Sequence, residues 1–264
     1  MMLLRRKKQP AAEDHELPLL LRSATGDLLH IFPAEVIGSI RHLENTLIYN
    51  QTLPKSLALV AAFRGEGVTY TALALATTLA SDLQARVCVV ELNWYAPGLQ
   101  ARLSEPVVAT PLGRRKKKPA EPIEHSGFVA GPGIAGVLTQ ACALDDALIA
   151  TELPNLMLLP AGVLPAEQRP SMARSEALKN CLAQLAERFD HLVLDIPAIS
   201  ATTDAIALAS LSQGCCLVVR QGVTPVSSVR RALDSLVHLN MLGVVLNQIG
   251  SDLPRWMNRL VPQE

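Results

Sequence analysis

The chain has 264 residues, of which 49% are hydrophobic and 18% charged, a composition that excludes an intrinsically disordered protein. Lysine plus arginine and aspartate plus glutamate both number 24, so net charge gives no general argument for a nucleic-acid partner. No apolar run reaches the roughly 18 residues that a membrane span requires. The basic cluster at residues 5–8 is not followed by an apolar segment, so we expect no secretory signal and a soluble, cytoplasmic protein.

Strands and helices are predicted to alternate along the chain. Residues 1–32 are loosely patterned and are expected to form a partly flexible lead-in segment. Continuous apolar runs predict buried strands at 56–63, 86–92, 156–162, 191–197, 215–220 and 242–249. Helices are predicted at 33–50, 69–83, 134–150, 171–188, 202–212 and 225–240. This order predicts an α/β fold over residues 33–250, a doubly wound, mostly parallel sheet with helices on both faces.

Two further segments are expected to lie outside this regular pattern. Residues 102–133 are rich in proline, glycine and charge, and predict a mobile loop with a basic run at 114–118. That run, like the cluster at 5–8, is either a solvated surface or a contact for an anionic membrane. Residues 251–264 form a C-terminal tail in which Trp256 either caps the fold or docks a partner.

The turn after the first buried strand has the layout of a phosphate cradle. Gly65 and Gly67 would let the backbone approach an anion, and the hydroxyl of Thr69 would be available to Mg²⁺. Measured against the motif GxxxxGK[ST], however, Ala62 replaces the first glycine and Val68 replaces the lysine. In isolation the segment is therefore also compatible with a simple tight connection between a strand and a helix.

Three segments in chain order strengthen the interpretation as a nucleotide site. They are residues 64–69 (RGEGVT), 89–99 (VVELNWYAPGL) and 189–198 (FDHLVLDIPA). Together they resemble the Walker A (roughly PGEGKT), Walker A′ (roughly IDADLRRPGL) and Walker B (roughly YDLVIIDTPP) motifs of bacterial tyrosine kinases. These BY-kinases of capsule and exopolysaccharide assembly belong to the MinD/ParA-like class of P-loop proteins. The resemblance covers about residues 33–250.

The resemblance implies roles for particular side chains. A bound ATP or ADP would contact the Walker A segment and Tyr70, which follows it. It would also contact Asn247 in the last predicted strand, which would face the base. Mg²⁺ would be held by Thr69, Glu91 and Asp195, and the two carboxylates would also be the catalytic candidates. Asp195 is alternatively a structural group that ends a buried strand. The implied nucleotide-binding residues are Arg64, Gly65, Glu66, Gly67, Val68, Thr69, Tyr70 and Asn247.

The departures from the family pattern predict a degenerate site. Val68 replaces the lysine that neutralises phosphate charge, and losing a charge-assisted hydrogen bond costs about 1.5–3 kcal/mol. Arg64 would partly substitute for that charge. Glu91 and Asn93 replace the two aspartates of Walker A′. The family's C-terminal tyrosine cluster is also missing from this chain.

Two functions follow from this comparison. The first is a regulatory or scaffolding pseudokinase of polysaccharide biosynthesis and export, with weak or no ATP turnover. It would be peripheral at the inner face of the membrane, bound to the cytoplasmic segment of a membrane polysaccharide co-polymerase, with no nucleic-acid partner. The alternative is a ParA/MinD-like spatial organiser that acts in DNA partition or in polar localisation of pili.

We predict a monomer or dimer for the purified chain. The family assembles into rings through an ExxRxxR helix, and this chain has Glu35, Gly38 and Arg41 at those positions, so one arginine is missing. Glu35 and Arg41 are equally compatible with ordinary exposed helix charges. A glycine inside a helix also costs about 1 kcal/mol relative to alanine. Light scattering or sedimentation measures the assembly state, and a stable octamer without nucleotide or partner would contradict this expectation.

Overall fold

The computed structural model describes residues 17–50, 53–104 and 128–248. The basic clusters at 5–8 and 114–118, and Trp256, lie outside the described residues. The strands of this part of the chain are β1 (Leu19–Arg22), β2 (Leu28–Phe32), β3 (Ser56–Ala61), β4 (Val87–Glu91), β5 (Ile149–Ala150), β6 (Leu156–Leu159), β7 (His191–Asp195), β8 (Gly214–Arg220) and β9 (Met241–Asn247). The helices are α1 (Ala34–Tyr49), α2 (Val68–Asp82), α3 (Leu99–Ser104), α4 (Gly133–Leu138), α5 (Leu144–Ala147), α6 (Arg169–Met172), α7 (Glu176–Arg188), α8 (Asp204–Ala209) and α9 (Val226–Ser235), with a 3₁₀ turn at Ala166–Gln168 before α6.

The centre of the fold is a sheet in the order β5-β6-β4-β7-β3-β8-β9. All its pairings are parallel except that of β5 with β6. Alternate residues of β3 enter opposite hydrophobic layers: Leu57 and Leu59 join α1 and α2, whereas Ala58 and Val60 join α7 and α8. Burial on both faces explains why the strands are continuous apolar runs, and it confirms the predicted doubly wound α/β architecture. Within the described ranges, no helix meets the length and hydropathy required of a membrane span.

Two predicted helices are interrupted in the structure. The helix expected at 134–150 divides into α4, α5 and the short strand β5, because Gln140 adopts a left-handed conformation with φ of 59° just after α4. The helix expected at 171–188 divides at Ser175, whose hydroxyl accepts a hydrogen bond from the Leu178 amide (3.1 Å) and caps α7. Residues 102–104, assigned to the mobile loop by sequence, belong to α3.

The lead-in segment contains a hairpin that the sequence pattern did not predict. Strands β1 and β2 pair antiparallel and bury Leu21, Leu29 and Phe32 in the layer formed by α1 and α2. The strands are only four and five residues long. Their burial comes from contacts with distant helices, so local periodicity carries little signal.

The first helix already has an internal partner for one of its candidate interface charges. Arg41 donates to Asp82 at the end of α2 through Nε (2.6 Å) and Nη2 (3.2 Å). Glu35 is exposed near the start of the same helix. The ion pair supports a role for Arg41 within its own subunit, and the assembly state remains a prediction.

The connection between β6 and α7 approaches α4 closely at Gly162. The amides of Ile134 and Ala135, in α4, donate to the carbonyls of Pro160 (2.8 Å) and Ala161 (3.1 Å). Gly162 has a φ of 67°, and a Cβ there would collide with the backbone carbonyl of Pro132. Glycine is therefore required both for backbone conformation and for space.

We predict that Gly162→Ala destabilises the fold more than Gly222→Ala does. Gly222 has a similar φ of 71°, but nothing lies within 4 Å of a Cβ placed there. Gly222→Ala should therefore lower the free energy of unfolding only by the conformational cost, about 1–2 kcal/mol. Gly162→Ala should lower it by about 1–3 kcal/mol more, because the added methyl group overpacks the contact with Pro132. Urea denaturation measures the free energy of unfolding of each variant. Equal losses would show that the close approach to Pro132 is not tightly packed.

Candidate nucleotide site

The predicted site residues meet at the carboxyl ends of the central strands. Strand β7 pairs with β3 on one side and β4 on the other, and Glu91 stands directly opposite Asp195 in the register of β4 and β7. A cavity of about 1360 Å³ opens at this edge. It is lined by the Walker A segment, by Gly98 of the Walker A′ segment and by the end of β9. Open parallel sheets bind their ligands at this edge.

The Walker A turn has the backbone conformation of a phosphate cradle. Gly65 and Gly67 have φ values of 81° and 94°, in the left-handed region, and α2 begins at the next residue, Val68. The side chain of Asn247 lies against Gly67 where a Cβ would collide with it, and its Nδ2 donates to the Glu66 carbonyl (2.8 Å). Both predicted glycines are thus required, and the start of α2 faces the cavity.

Glu66 supports the turn from within. It is buried, and its carboxylate accepts hydrogen bonds from the Phe63 amide (2.9 Å) and from the Thr224 hydroxyl after β8. These contacts hold the turn against the neighbouring connection. The structure therefore places Glu66 as a brace for the cradle, whereas Arg64 is exposed at the rim of the cavity.

Glu91 is held by backbone amides from two loops. Its Oε1 accepts from the amides of Gly98 (2.5 Å) and Leu99 (2.9 Å), and its Oε2 accepts from the Ala161 amide (3.0 Å). Burial raises the pKa of Glu91, while these three amides act in the opposite direction by stabilising the charged form. The carboxylate therefore fastens the Walker A′ segment to the end of β6, which is a positioning role.

Asp195 differs from Glu91 because its carboxylate is unsatisfied. It is fully buried, and neither oxygen has a hydrogen-bond partner in the part of the chain that the structure describes. Burial and then the nearby charge of Glu91 raise the pKa of Asp195. The neighbouring Thr69 hydroxyl opposes this increase, although its position does not meet the geometry of a hydrogen bond to the carboxylate. Thr69 also contacts the Walker A′ segment, because a Cβ on Gly98 would lie 2.5 Å from its Oγ1.

The residues at this point fit a magnesium ion. Mg²⁺ prefers hard oxygen ligands and is commonly held by one or two carboxylates together with substrate phosphates. Asp195 supplies an unpaired buried carboxylate, and Thr69 supplies a hydroxyl beside it. Among the described residues, no group of three or more His, Cys, Asp or Glu side chains is arranged to hold a metal. A metal at Asp195 would therefore depend on phosphate oxygens.

The Walker A′ segment contains a polar network that sequence analysis did not identify. The Tyr95 hydroxyl donates to Asp204, which also accepts from Arg174 (2.5 Å), and the guanidinium of Arg169 lies 5.3 Å from the centre of the Tyr95 ring. Tyr95 and Ala96 occupy the two arginine positions of the family pattern IDADLRRPGL. The replacement of both arginines was the sequence signal that could have indicated a different polar network in this segment.

Tyr70, a predicted nucleotide-binding residue, has a second environment. Its ring centre lies 5.5 Å from those of His30 and Phe32 in β2, and the Arg102 guanidinium lies 5.4 Å from it. Tyr70 therefore joins α2 to the hairpin as well as lining the cavity.

Comparison with protein-family models finds none that matches. Curated relatives include the tyrosine-protein kinase Ptk of Acinetobacter johnsonii, 28% identical over 120 residues, which cover 45% of this chain and 16% of Ptk. Succinoglycan biosynthesis transport protein ExoP of Rhizobium meliloti is 36% identical over 98 residues, covering 36% of this chain and 12% of ExoP. The tyrosine-protein kinase CpsD of Streptococcus agalactiae is 27% identical over 124 residues, covering 46% of this chain and 53% of CpsD. The match therefore spans at most about half of these relatives.

Solved structures share the fold over most of the chain. The chimeric protein CapA2B2 superposes with a TM-score of 0.69 at 18% identity, covering 82% of this chain and 86% of CapA2B2. The kinase domain of the Escherichia coli tyrosine kinase Etk has a TM-score of 0.67 at 16% identity, with coverages of 83% and 79%. A cobyrinic acid a,c-diamide synthase from Mycobacterium smegmatis, with bound ATP analogue and magnesium, has a TM-score of 0.55 at 18% identity, with coverages of 79% and 80%.

A shorter match connects the chain to a wider group of proteins. Septum site-determining protein MinD of Synechocystis is 39% identical over 64 residues, covering 24% of this chain and 23% of MinD. The relatives and the shared fold agree with the motifs found at the edge of the sheet. Over part of its length the chain is similar to bacterial tyrosine kinases and to MinD, and it shares its fold with a bacterial tyrosine-kinase domain and other P-loop proteins.

Proposed function

We propose that the protein is a nucleotide-binding regulatory or scaffolding pseudokinase, with weak or no ATP turnover. The observation that carries the proposal is Val68 at the start of α2, within a turn that otherwise keeps the cradle conformation. Backbone amides and the helix N-terminus supply attraction for phosphate. A charge-assisted contact at this position is absent because valine has no donor. Binding geometry is thus retained, whereas the charge most needed during phosphoryl transfer is lost.

The proposed ligand is ATP or ADP with Mg²⁺. Thr69 and Asp195 would hold the metal, which neutralises phosphate charge when bound. Glu91 would position the Walker A′ segment through its three backbone contacts rather than bind the metal itself. Asn247 braces the cradle through the Glu66 carbonyl and would face the base. An ATP analogue and magnesium are bound in a structure of the same fold, which supports this assignment.

The proposed setting is polysaccharide biosynthesis and export. Support comes from the match to ExoP, a succinoglycan biosynthesis transport protein, and from the tyrosine kinases among the relatives. The partner we propose is the cytoplasmic segment of a membrane polysaccharide co-polymerase, with the protein peripheral to the inner membrane face. A ParA/MinD-like spatial organiser is the second candidate, favoured by the match to MinD. Co-precipitation with a co-polymerase segment, compared with binding to DNA, separates the two functions.

The first test restores the missing charge. Val68→Lys should strengthen binding of Mg²⁺–ATP or Mg²⁺–ADP by about 10- to 100-fold, because a charge-assisted hydrogen bond contributes about 1.5–3 kcal/mol. Val68→Met, which adds length without charge, is the matched control and should leave affinity nearly unchanged. Isothermal titration calorimetry measures both variants beside the unmodified protein. Sub-micromolar ATP binding with Mg²⁺-dependent hydrolysis by the unmodified protein would refute the pseudokinase proposal.

The second test concerns the unpaired carboxylate. A carboxyl whose folded pKa is raised loses stability as pH rises above its unfolded pKa of about 4, because the unfolded chain ionises first. Asp195→Asn should therefore be more stable than the unmodified protein at pH 8, by at least about 1 kcal/mol, with a smaller difference at pH 4. It should also lose the Mg²⁺ dependence of nucleotide binding. Urea denaturation at several pH values measures the first effect, and calorimetry the second.

Asp190, just before β7, is a control because its pKa is shifted in the opposite direction to that of Asp195. Hydrogen bonds from Arg86 lower the pKa of Asp190 to about 2, so its stabilising contribution is present above pH 4 and is lost as pH falls towards 2. Asp190→Asn should therefore destabilise slightly at neutral pH and leave Mg²⁺ dependence intact. A loss of stability at pH 8 in Asp195→Asn would show that the carboxylate has a structural partner.

A further inference from the structure

A half-buried arginine lines the cavity beside the Walker A′ segment. Within the part of the chain that the structure describes, the lysine and arginine side chains that line the cavity are Arg64 and Arg102. The Arg102 amide, in α3, donates to the Gly98 carbonyl (2.9 Å), and a Cβ on Gly98 would lie 2.5 Å from the Thr69 Oγ1. Four residues of helix rise about 6 Å, so the long side chain of Arg102 starts close to the proposed metal ligand Thr69.

The guanidinium of Arg102 is held by stacking rather than by an acid. It lies 5.4 Å from the centre of the Tyr70 ring, and no ion pair within residues 17–50, 53–104 and 128–248 includes it. Stacking on an aromatic ring uses the face of a guanidinium and leaves its N–H edge free. That edge is a planar fork of up to five donors, which matches the oxygens of a phosphate.

The described titratable side chains nearest to Arg102 leave its charge uncompensated. Burial, and then the charge of Arg102, lower the pKa of His30 to about 4, so His30 is neutral at pH 7. Burial raises the pKa of Tyr70, whereas the charge of Arg102 opposes this increase, and the phenol is neutral as well. A cation at the wall of a cavity, without an acid beside it, attracts an anionic ligand.

The order of the strands places Arg102 on the side of the cavity opposite to the proposed base position. The cradle follows β3, and β9, which ends at Asn247, lies two strands away on one side. Strand β4, which leads into the Walker A′ segment, lies two strands away on the other side. A nucleotide whose base faces Asn247 would therefore extend its phosphates from the cradle towards Arg102. The outermost phosphate would be the one nearest to this arginine.

We propose that Arg102 binds the terminal phosphate of ATP and makes the site select ATP over ADP. The inference rests on the proposed nucleotide-binding function and names which nucleotide the site takes. It assigns the positive charge that position 68 lacks to Arg102 rather than to Arg64, which is exposed at the rim. The ring of Tyr70 holds the guanidinium beside the cavity, which lowers the cost of ordering it when the phosphate binds.

The affinities of the full chain for Mg²⁺–ATP and Mg²⁺–ADP test the proposal by isothermal titration calorimetry. The unmodified protein should bind ATP at least about tenfold more tightly than ADP, because ATP gains one charge-assisted contact. Raising the ionic strength should reduce this ratio, since salt screens the contact. Equal affinities for the two nucleotides at low salt would overturn the proposal without any variant.

Arg102→Gln should remove the preference for ATP. Its affinity for ATP should fall about 10- to 100-fold, whereas its affinity for ADP should change less than about threefold. Arg102→Lys keeps the charge but not the planar fork, and should restore part of the preference. If Arg102 served only to support Tyr70 and the hairpin, both nucleotides would lose affinity equally and lysine would not restore the preference. That result would contradict the proposal.

Arg169→Gln is the matched control. Arg169 lies 5.3 Å from the centre of the Tyr95 ring, a contact like that of Arg102 with Tyr70, but it does not line the cavity. The variant removes one charge and one stacking contact, and it should leave the ratio of ATP to ADP affinity unchanged. An equal loss of preference in both glutamine variants would assign the effect to net charge and overturn the proposal. Thermal unfolding without nucleotide checks that each variant is folded.

The failure of this inference and that of the proposed function give different results. If the unmodified protein binds neither nucleotide, the proposed nucleotide-binding function fails, and the role of Arg102 fails with it. If the protein binds both nucleotides and Arg102→Gln leaves the ratio of affinities unchanged, nucleotide binding stands and only the role of Arg102 is wrong.

Discussion

The carboxylate of Glu91 organises the loops at the carboxyl ends of the central strands. It is buried at the end of β4, and its three hydrogen bonds come from the amides of Gly98, Leu99 and Ala161. Unpaired, a buried charge of this kind would be strongly destabilising, so the amides must stay where they are while the carboxylate is ionised. One side chain thus fixes both the Walker A′ segment and the connection after β6.

The carboxylate of the neighbouring Asp195 has the opposite surroundings. Its carboxylate lies at the same level of the sheet but has no hydrogen-bond partner among residues 17–50, 53–104 and 128–248. Structures retain unpaired buried carboxyls when a ligand compensates for them, and such groups concentrate at functional sites. With Glu91 occupied by the backbone, Asp195 and Thr69 remain as the oxygen groups available to a cation. The two carboxylates therefore differ in their surroundings: Glu91 is a structural fastener, whereas Asp195 has no backbone donor.

The Walker A turn shows that the geometry of a site and its charge are separable. Gly65 and Gly67 keep their left-handed backbone, and Glu66 and Asn247 brace the turn from both sides. None of these contacts requires the lysine that Val68 replaces, because they are made by backbone and neighbouring polar groups. The fold of the cradle is accordingly independent of its catalytic charge. That independence makes a binding or scaffolding role physically compatible with a retained P-loop.

Much of the architecture follows from local pattern. Continuous apolar runs between helices are sufficient to predict a parallel sheet, because strands buried on both faces have no polar alternation. Strand-end motifs likewise predicted that residues 64–69, Glu91 and Asp195 would meet, since the carboxyl ends of parallel strands share one edge. The hairpin β1–β2 and the break in the helix at Gln140 were not predicted. The hairpin depends on contacts with helices far away in sequence, whereas the break is a left-handed turn at Gln140 that apolar periodicity does not mark.

By itself, the sequence determined the order of the main parallel strands and their connecting helices, the identity of the Walker segments and the replacement of lysine by Val68. Only the tertiary structure decided that Glu91 faces three amides while Asp195 faces none, although the two residues are register partners on adjacent strands. The reason is that a carboxylate's role depends on which donors converge on it. For Glu91 one of those donors comes from Ala161, 70 residues away along the chain, and it is brought there by the pairing of β4 with β6.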